Sequence, residues 1–428
     1  MNNKKILMLI NEFPPTGESG VQRPLKFVKY LVRAGYEVFV ITPRKPTKTV
    51  LDYSMEKEIP NEAKIIKTAS WGLPGKGTTS VQQLRYSMSG KPSKIKQILW
   101  KILKHLNDVI FPIDKQIGWV PFAYSAAKKT IRRNNIKNVY ITGFPFSAFI
   151  VGIWLKSSFK ERIFWLADYR DAWQFEPKFE EQINRFRQKV IRRVESKVIA
   201  HADYFSFATQ FITLKYRNAF PEIASRSITI TNGYDEDDFA SIIPHVFPKF
   251  TVLYMGKIYA FKGSPKPLMN ALKRLALEPT MEEFSLTHIG TVPQEILDFV
   301  QANNIDFYEY LGYKSHDEAL ACAAGADILV IIVNNDPESK GVLTGKIFEL
   351  ARIGKPILAL GPQDSLLEKF ITDNNCGEFA FCEDEDEIYR AAKRLISGTT
   401  ENASKAHGIK AYSRENLTKK LMECFPDG

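Results

Sequence analysis

The chain has 428 residues, 44% hydrophobic and 25% charged, which is room for two or three globular domains and excludes the strongly biased disordered and fibrous classes. Its net charge of +11 is uneven: residues 1–200 carry +20, leaving −9 for residues 201–428. A basic first half faces something anionic, whether nucleic acid, an anionic membrane surface or a phosphate-bearing lipid.

A strand is expected over 5–10, and its apolar run, Ile6 to Ile10 after Lys4 and Lys5, is too short for a secretory signal. A long loop from Asn11 to Gly20 follows, then a helix over 21–34 stopped by Gly35 and a strand over 37–42. This βαβ order calls for a parallel sheet. Further strands are expected at 63–67, 139–142, 163–167, 204–208 and 228–231, with a polar loop over 71–88. In the segment 91–106, Ile95, Ile98, Leu99, Ile102 and Leu106 make one helical stripe, with Lys94, Lys101 and Lys104 off it. That suits a helix lying on a membrane, or one packed on its own domain. No segment has the apolar length to cross a bilayer; the run 138–155 is interrupted by Gly143 and Pro145.

A turn at Asn232-Gly233 and a proline-bearing linker mark a change of domain. Strands then recur at 250–255, 285–289, 306–311, 328–333, 356–360 and 377–380, with helices between. Helices at 388–396 and 412–424 close the chain. The expected division is 1–240, 241–399 and a C-terminal helical segment 400–428 packing back toward the first domain. Cys322, Cys376, Cys382 and Cys424 show no metal or redox spacing and read as reduced cytosolic thiols. The fold class is α/β, two doubly wound Rossmann-like domains facing a central cleft, with ligands at the carboxyl ends of strands.

The richest segment is Gly341-Val342-Leu343-Thr344-Gly345-Lys346-Ile347-Phe348-Glu349. It joins an apolar strand to a helix with Thr344 as N-cap and Gly354 as stop, a place to hold a phosphate. It is not a Walker A loop: three residues separate Gly341 from Gly345, and Ile347 follows Lys346. Three further places carry chemistry. Gly17 and Gly20 lie in the first long loop. Gly256-Lys257 and Lys262-Gly263 follow the first strand of domain two and could bind a diphosphate. Asp168, Arg170 and Asp171 with Trp173 end a strand of domain one, as a site or as a local Arg–Asp pair.

The loop after Phe13-Pro14-Pro15, Asn232-Gly233-Tyr234-Asp235, Gly256-Lys257, Lys262-Gly263, Leu311-Gly312-Tyr313, Asp317-Glu318-Ala319, Ala326-Asp327, Lys346-Ile347-Phe348-Glu349 and Gly354-Lys355-Pro356 occur in an order that resembles retaining GT-B glycosyltransferases of family four. These are bacterial enzymes of surface polysaccharide and glycolipid assembly. The resemblance runs from about residue 4 to 395. It implies a nucleotide-diphosphate-sugar donor, with Glu349 on the ribose hydroxyls and Lys257 and Lys262 on the diphosphate. Gly312 and Tyr313 would meet the base, and Gly20 with the Gly341, Val342, Leu343 and Thr344 backbone would meet phosphate and sugar. It implies no metal or other cofactor. Many members carry a second Glu eight positions before the ribose Glu. Gly341 stands there in this chain, with Glu338 three residues earlier. Arg170-Asp171 matches a His-Asp pair of the family, with Asp171 positioning the acceptor or the reacting sugar. The implied partners are a lipid-linked or glycan acceptor and an anionic membrane surface, with the protein peripheral at the inner face of the plasma membrane. Two other readings stand beside this one: a nucleotide-sugar 2-epimerase of the same architecture, and a basic nucleic-acid-binding α/β protein, which lacks a recognisable aromatic-basic motif.

Overall fold

The computed structural model describes residues 4–17, 19–45, 51–71, 108–176, 179–258, 264–279, 283–398 and 408–426. The polar loop beyond residue 71, the amphipathic segment 91–106, and Lys262 with Gly263 lie outside them. The chain divides into two compact units, Met1–Thr231 with Leu417–Gly428, and Asn232–Asn416.

The first unit is built on a seven-stranded parallel sheet of order β3-β2-β1-β4-β5-β6-β7. Its strands are β1 (Lys5–Leu9), β2 (Glu37–Pro43), β3 (Lys64–Thr68), β4 (Asn138–Gly143), β5 (Phe164–Tyr169), β6 (Tyr204–Phe207) and β7 (Ser227–Thr229). β1 pairs with β2 and β4 on its two edges and is buried under a helix layer on each face, which explains its unbroken apolar sequence. Ile6 and Met8 face a layer that holds Leu25 and Val28 of the helix Gln22–Arg33 and Leu417 and Leu421 of the helix Arg414–Glu423. Leu7 and Leu9 face the opposite layer, with the helices Val120–Asn134, Ala148–Phe159 and Arg185–His201. The first helix stops where expected. Gly35, at φ +81°, lets its own N–H reach Val32 O and the Tyr36 N–H reach Leu31 O.

The second unit has a six-stranded parallel sheet of order β10-β9-β8-β11-β12-β13. Its strands are β8 (Phe250–Met255), β9 (Phe284–Ile289), β10 (Tyr308–Tyr310), β11 (Ile328–Ile332), β12 (Ile357–Gly361) and β13 (Gly377–Phe381). One layer joins Val252, Leu286, Val330 and Leu358 to the helices Lys266–Ala276 and Glu385–Ile396. The other joins Leu253, Leu329 and Ala359 to the helices His316–Gly325, Gly345–Ile353 and Leu366–Asn374. In each sheet the strand order reverses beside the first strand, at β1/β4 and β8/β11, where α/β sheets open a crevice at their carboxyl edge.

One ionic cluster ties the first unit together. Asp168, fully buried on β5, accepts from Arg23 Nη2 at 2.7 Å and Nε at 3.2 Å. It also accepts from Tyr140 Oη (2.6 Å), Thr142 Oγ1 (2.8 Å) and Ser206 Oγ (2.6 Å). Arg23 Nη1 donates to Ile230 O (2.7 Å) and Thr231 O (2.8 Å), the last residues of the unit before the chain leaves it. Burial alone would raise the Asp168 pKa, but Arg23 and the hydroxyl donors outweigh it and hold it below the ordinary carboxylate value. The ion partner of Asp168 is therefore Arg23, far away in sequence, and not its neighbour Arg170. All six tryptophans belong to this unit, so their fluorescence reports its unfolding. Asp168→Asn leaves the Arg23 charge buried and uncompensated, and should lower stability by about 3–5 kcal/mol in urea titrations. A loss under about 1 kcal/mol would contradict a central role for the pair.

Candidate functional site

The carboxyl edge of the second sheet gathers most of the residues singled out from the sequence. β8 runs into Gly256, β9 into Gly290 and β10 toward Gly312. Their backbones are laced together: Gly256 N–H donates to Ile289 O (2.7 Å), and Gly290 N–H donates to Gly312 O (2.9 Å). Gly290 sits at φ +135°, and a Cβ there would lie 2.1 Å from Gly256 O, so this approach requires glycine. His288 buttresses the same peptide. Its Nε2 is 2.8 Å from Gly256 O, which can only accept, so Nε2 carries the proton and Nδ1 accepts from Tyr308 Oη at 2.9 Å. Desolvation is the main cause that lowers the His288 pKa, with the Lys346 charge adding to it and the Gly256 bond opposing, so the ring is neutral.

The helix Gly345–Ile353 begins at this edge and ends at Gly354, φ +81°, as expected. Thr344 takes the N-cap position, but its hydroxyl makes no capping bond and is buried without a hydrogen-bond partner among the described residues. The first N–H groups of the helix thus lack a side-chain cap. Gly341 is buried and Val342 exposed in the loop before it, with Leu343 between these extremes. Glu349 lies one turn into the helix, and its Oε1 is 3.2 Å from His316 Nε2. His316 opens the helix His316–Gly325, whose Ser315–Glu318 capping box accounts for the acidic motif there. Lys257 is exposed immediately after Gly256, and Tyr313 is exposed beside Gly312. Lys346 reaches across to Gly256.

In the first unit, Arg170 follows β5 and works as a clamp. It donates to Gly20 O, Phe144 O and Gly143 O, and pairs with Glu12 at 3.3 Å. It thereby joins the first long loop to the loop after β4. Asp171 makes no hydrogen bond among the described residues and is open to solvent. Crowding by protein still raises its pKa, through desolvation first, with Glu12 and Asp168 adding and Arg170 opposing. Trp173 is buried and stacks on Phe146 at 4.7 Å.

Glu195 lies beneath this segment, fully buried on the helix Arg185–His201. Burial raises its pKa from 4.5 to about 8, with Tyr216 opposing. Tyr216 Oη is 2.9 Å from Ala172 O and also touches Glu195 Oε1. One phenolic proton cannot serve both, so a protonated Glu195 donates to Tyr216, which donates to Ala172 O. The carboxyl binds its proton more tightly folded than unfolded. Its stabilising contribution is full below the unfolded value near 4.5 and is lost as pH rises through about 8. The urea midpoint read by tryptophan should therefore fall from pH 7 to pH 9, and Glu195→Gln should flatten that fall. An identical pH slope in both proteins would contradict the assignment.

Lys346, His288 and His316 were not among the sequence candidates. In sequence Lys346 lies inside the glycine-bearing segment 341–349, and His288 lies in a strand beside Ser285 and Thr287.

No protein-family model matches the sequence, and no curated protein matches it by sequence. Solved structures do match, over nearly the whole chain. Sucrose-phosphate synthase from Thermosynechococcus elongatus superposes with a TM-score of 0.63 at 15% identity, covering 98% of this chain and 97% of that one. WaaG, a glycosyltransferase involved in lipopolysaccharide biosynthesis, gives 0.57 at 11% identity, covering 99% and 100%. A putative UDP-N-acetylglucosamine 2-epimerase from Listeria monocytogenes gives 0.57 at 10% identity, covering 98% and 95%. The fold is GT-B, with two Rossmann-like units. Identities this low carry the fold and nothing finer.

Proposed function

We propose that the protein is a retaining glycosyltransferase of the hexosyltransferase type, resembling family four. It moves a sugar from a nucleotide-diphosphate-sugar to a lipid-linked or polysaccharide acceptor. The observation that carries this reading is the carboxyl edge of the second sheet. There, glycine-bearing strand ends, an uncapped helix N-terminus and the Glu349 carboxylate converge. Glu349 accepts from the ribose hydroxyls. Lys257 and Lys262 neutralise the diphosphate as it leaves, with no metal or cofactor assigned to the step. Gly312 and Tyr313 contact the base, and Gly20 with Gly341, Val342, Leu343 and Thr344 contacts phosphate and sugar. The anomeric carbon loses its bond to the diphosphate oxygen, which keeps the bonding pair, and gains one to the acceptor oxygen, whose proton passes to the departing diphosphate. Asp171, held beside the clamped Arg170, positions the acceptor or the reacting sugar.

The acceptor side and the place of action follow from charge. The +20 carried by residues 1–200 suits a cytoplasmic enzyme peripheral at the anionic inner face of a membrane. No helix among the described residues is long and apolar enough to cross one. The second reading is a nucleotide-sugar 2-epimerase, since the putative UDP-N-acetylglucosamine 2-epimerase from Listeria monocytogenes shares the fold. It would convert its nucleotide sugar with no acceptor present. A donor stabilises the fold by mass action, by about 2.7 kcal/mol at a hundredfold excess over Kd. In a thermal-shift screen of UDP-, GDP-, ADP-, dTDP- and CMP-sugars, at least one should raise Tm, and Glu349→Ala should abolish that rise. Failure of every nucleotide sugar would remove the main support, and an unchanged rise in the variant would exclude the ribose role.

A further inference from the structure

We propose that Lys346 binds the diphosphate of the donor, as a cation additional to the two lysines that the sequence motifs suggest. The proposal rests on the donor-site reading above and extends it to a residue in the first turn of the helix Gly345–Ile353. From there the side chain runs back over the end of β8. An ideal Cβ on Gly256 would lie 2.4 Å from Lys346 Nζ and 3.7 Å from its Cε, so the ammonium rests directly against the bare face of this glycine. The Gly256 peptide cannot easily retreat, because its N–H is bonded to Ile289 O and its carbonyl to His288, itself braced by Tyr308.

The ammonium has no hydrogen bond or ion pair among the described residues. Glu349, one turn along, is an opposing charge that acts on it, but that carboxylate bonds to His316. Desolvation lowers the Lys346 pKa despite Glu349, while the side chain stays reachable from solvent. Neutral His288 adds no second charge on that side. A crowded cation with no acceptor of its own is stabilised by an arriving anion. The surrounding donors define which anion. Exposed Lys257 follows Gly256, and the uncapped N–H groups of the helix lie in the same turn as Lys346. Two cations flanking a glycine, with a helix terminus alongside, fit two adjoining phosphoryl groups better than one carboxylate.

Inorganic pyrophosphate is the probe that separates this subsite from base and sugar. Calorimetric titration with pyrophosphate and with UDP, GDP and ADP should show Lys346→Met weakening pyrophosphate and the bound nucleotide by about tenfold to a hundredfold, the range of one charge-assisted hydrogen bond. Circular dichroism should show the fold unchanged. Lys340→Met removes a lysine of the same loop that pairs with Asp364 instead, and should leave the affinity within about twofold. Equal loss in both variants would mean diffuse charge, and unchanged affinity in Lys346→Met would mean no contact. Either result overturns the proposal, as does a parent protein that binds neither probe. Binding of pyrophosphate that depends on Lys346, with no nucleotide bound, would keep this inference and defeat the donor reading.

Discussion

Parallel pairing is the constraint on which the rest of the structure depends. Every strand pair within the two sheets is parallel, so within each unit all strands end on one edge. In the second unit that edge brings together Gly256, Gly290, Gly312 and the start of the helix Gly345–Ile353, which are scattered along the sequence. None of these pieces is a site alone. Gly256, Gly290 and Gly312, laced by backbone hydrogen bonds, floor an edge that Lys346 reaches from the helix start, with Lys257 and Glu349 close to it in sequence. The reading as a donor site draws on that convergence.

The first unit meets the same constraint with charge. β5 ends in two acids with opposite fates, Asp168 and Asp171. Asp168 is fully buried and accepts from Arg23 and three hydroxyls. Asp171, a few residues on, has no hydrogen bond among the described residues and faces solvent. Arg170 between them gathers carbonyls from two loops. Buried ion pairs contribute little net stability, yet breaking one is costly. Their effect here is positional: they hold the strand end in one arrangement, so that Asp171 is presented to solvent.

Much of this was legible in the sequence because it rests on local pattern. Apolar runs of strand length separated by helical spacing located both sheets, and Gly35 and Gly354 were recognisable as helix stops. What escaped depends on contacts between distant residues. Arg23 looks like a surface residue of an amphipathic helix until β5 and the end of β7 are placed beside it. His288 reads as one of three polar residues in a buried strand, beside Ser285 and Thr287, until the Gly256 carbonyl is found against its ring. Lys346 sits at an exposed helical position, and only the missing side chain of Gly256 reveals where its ammonium goes. Glu318 of the Asp317-Glu318 motif caps a helix together with Ser315. The sequence of Gly341 shows where a carboxylate is missing, but not which sugar that suits.

The central claim is that the carboxyl edge of the second sheet binds the donor. Hydrogen-exchange mass spectrometry, with and without the nucleotide sugar that stabilises the protein, tests this most directly. The account predicts slower exchange in peptides covering 253–258, 310–316 and 341–349. Slowed exchange confined to residues 1–231, with those three segments unchanged, would contradict it.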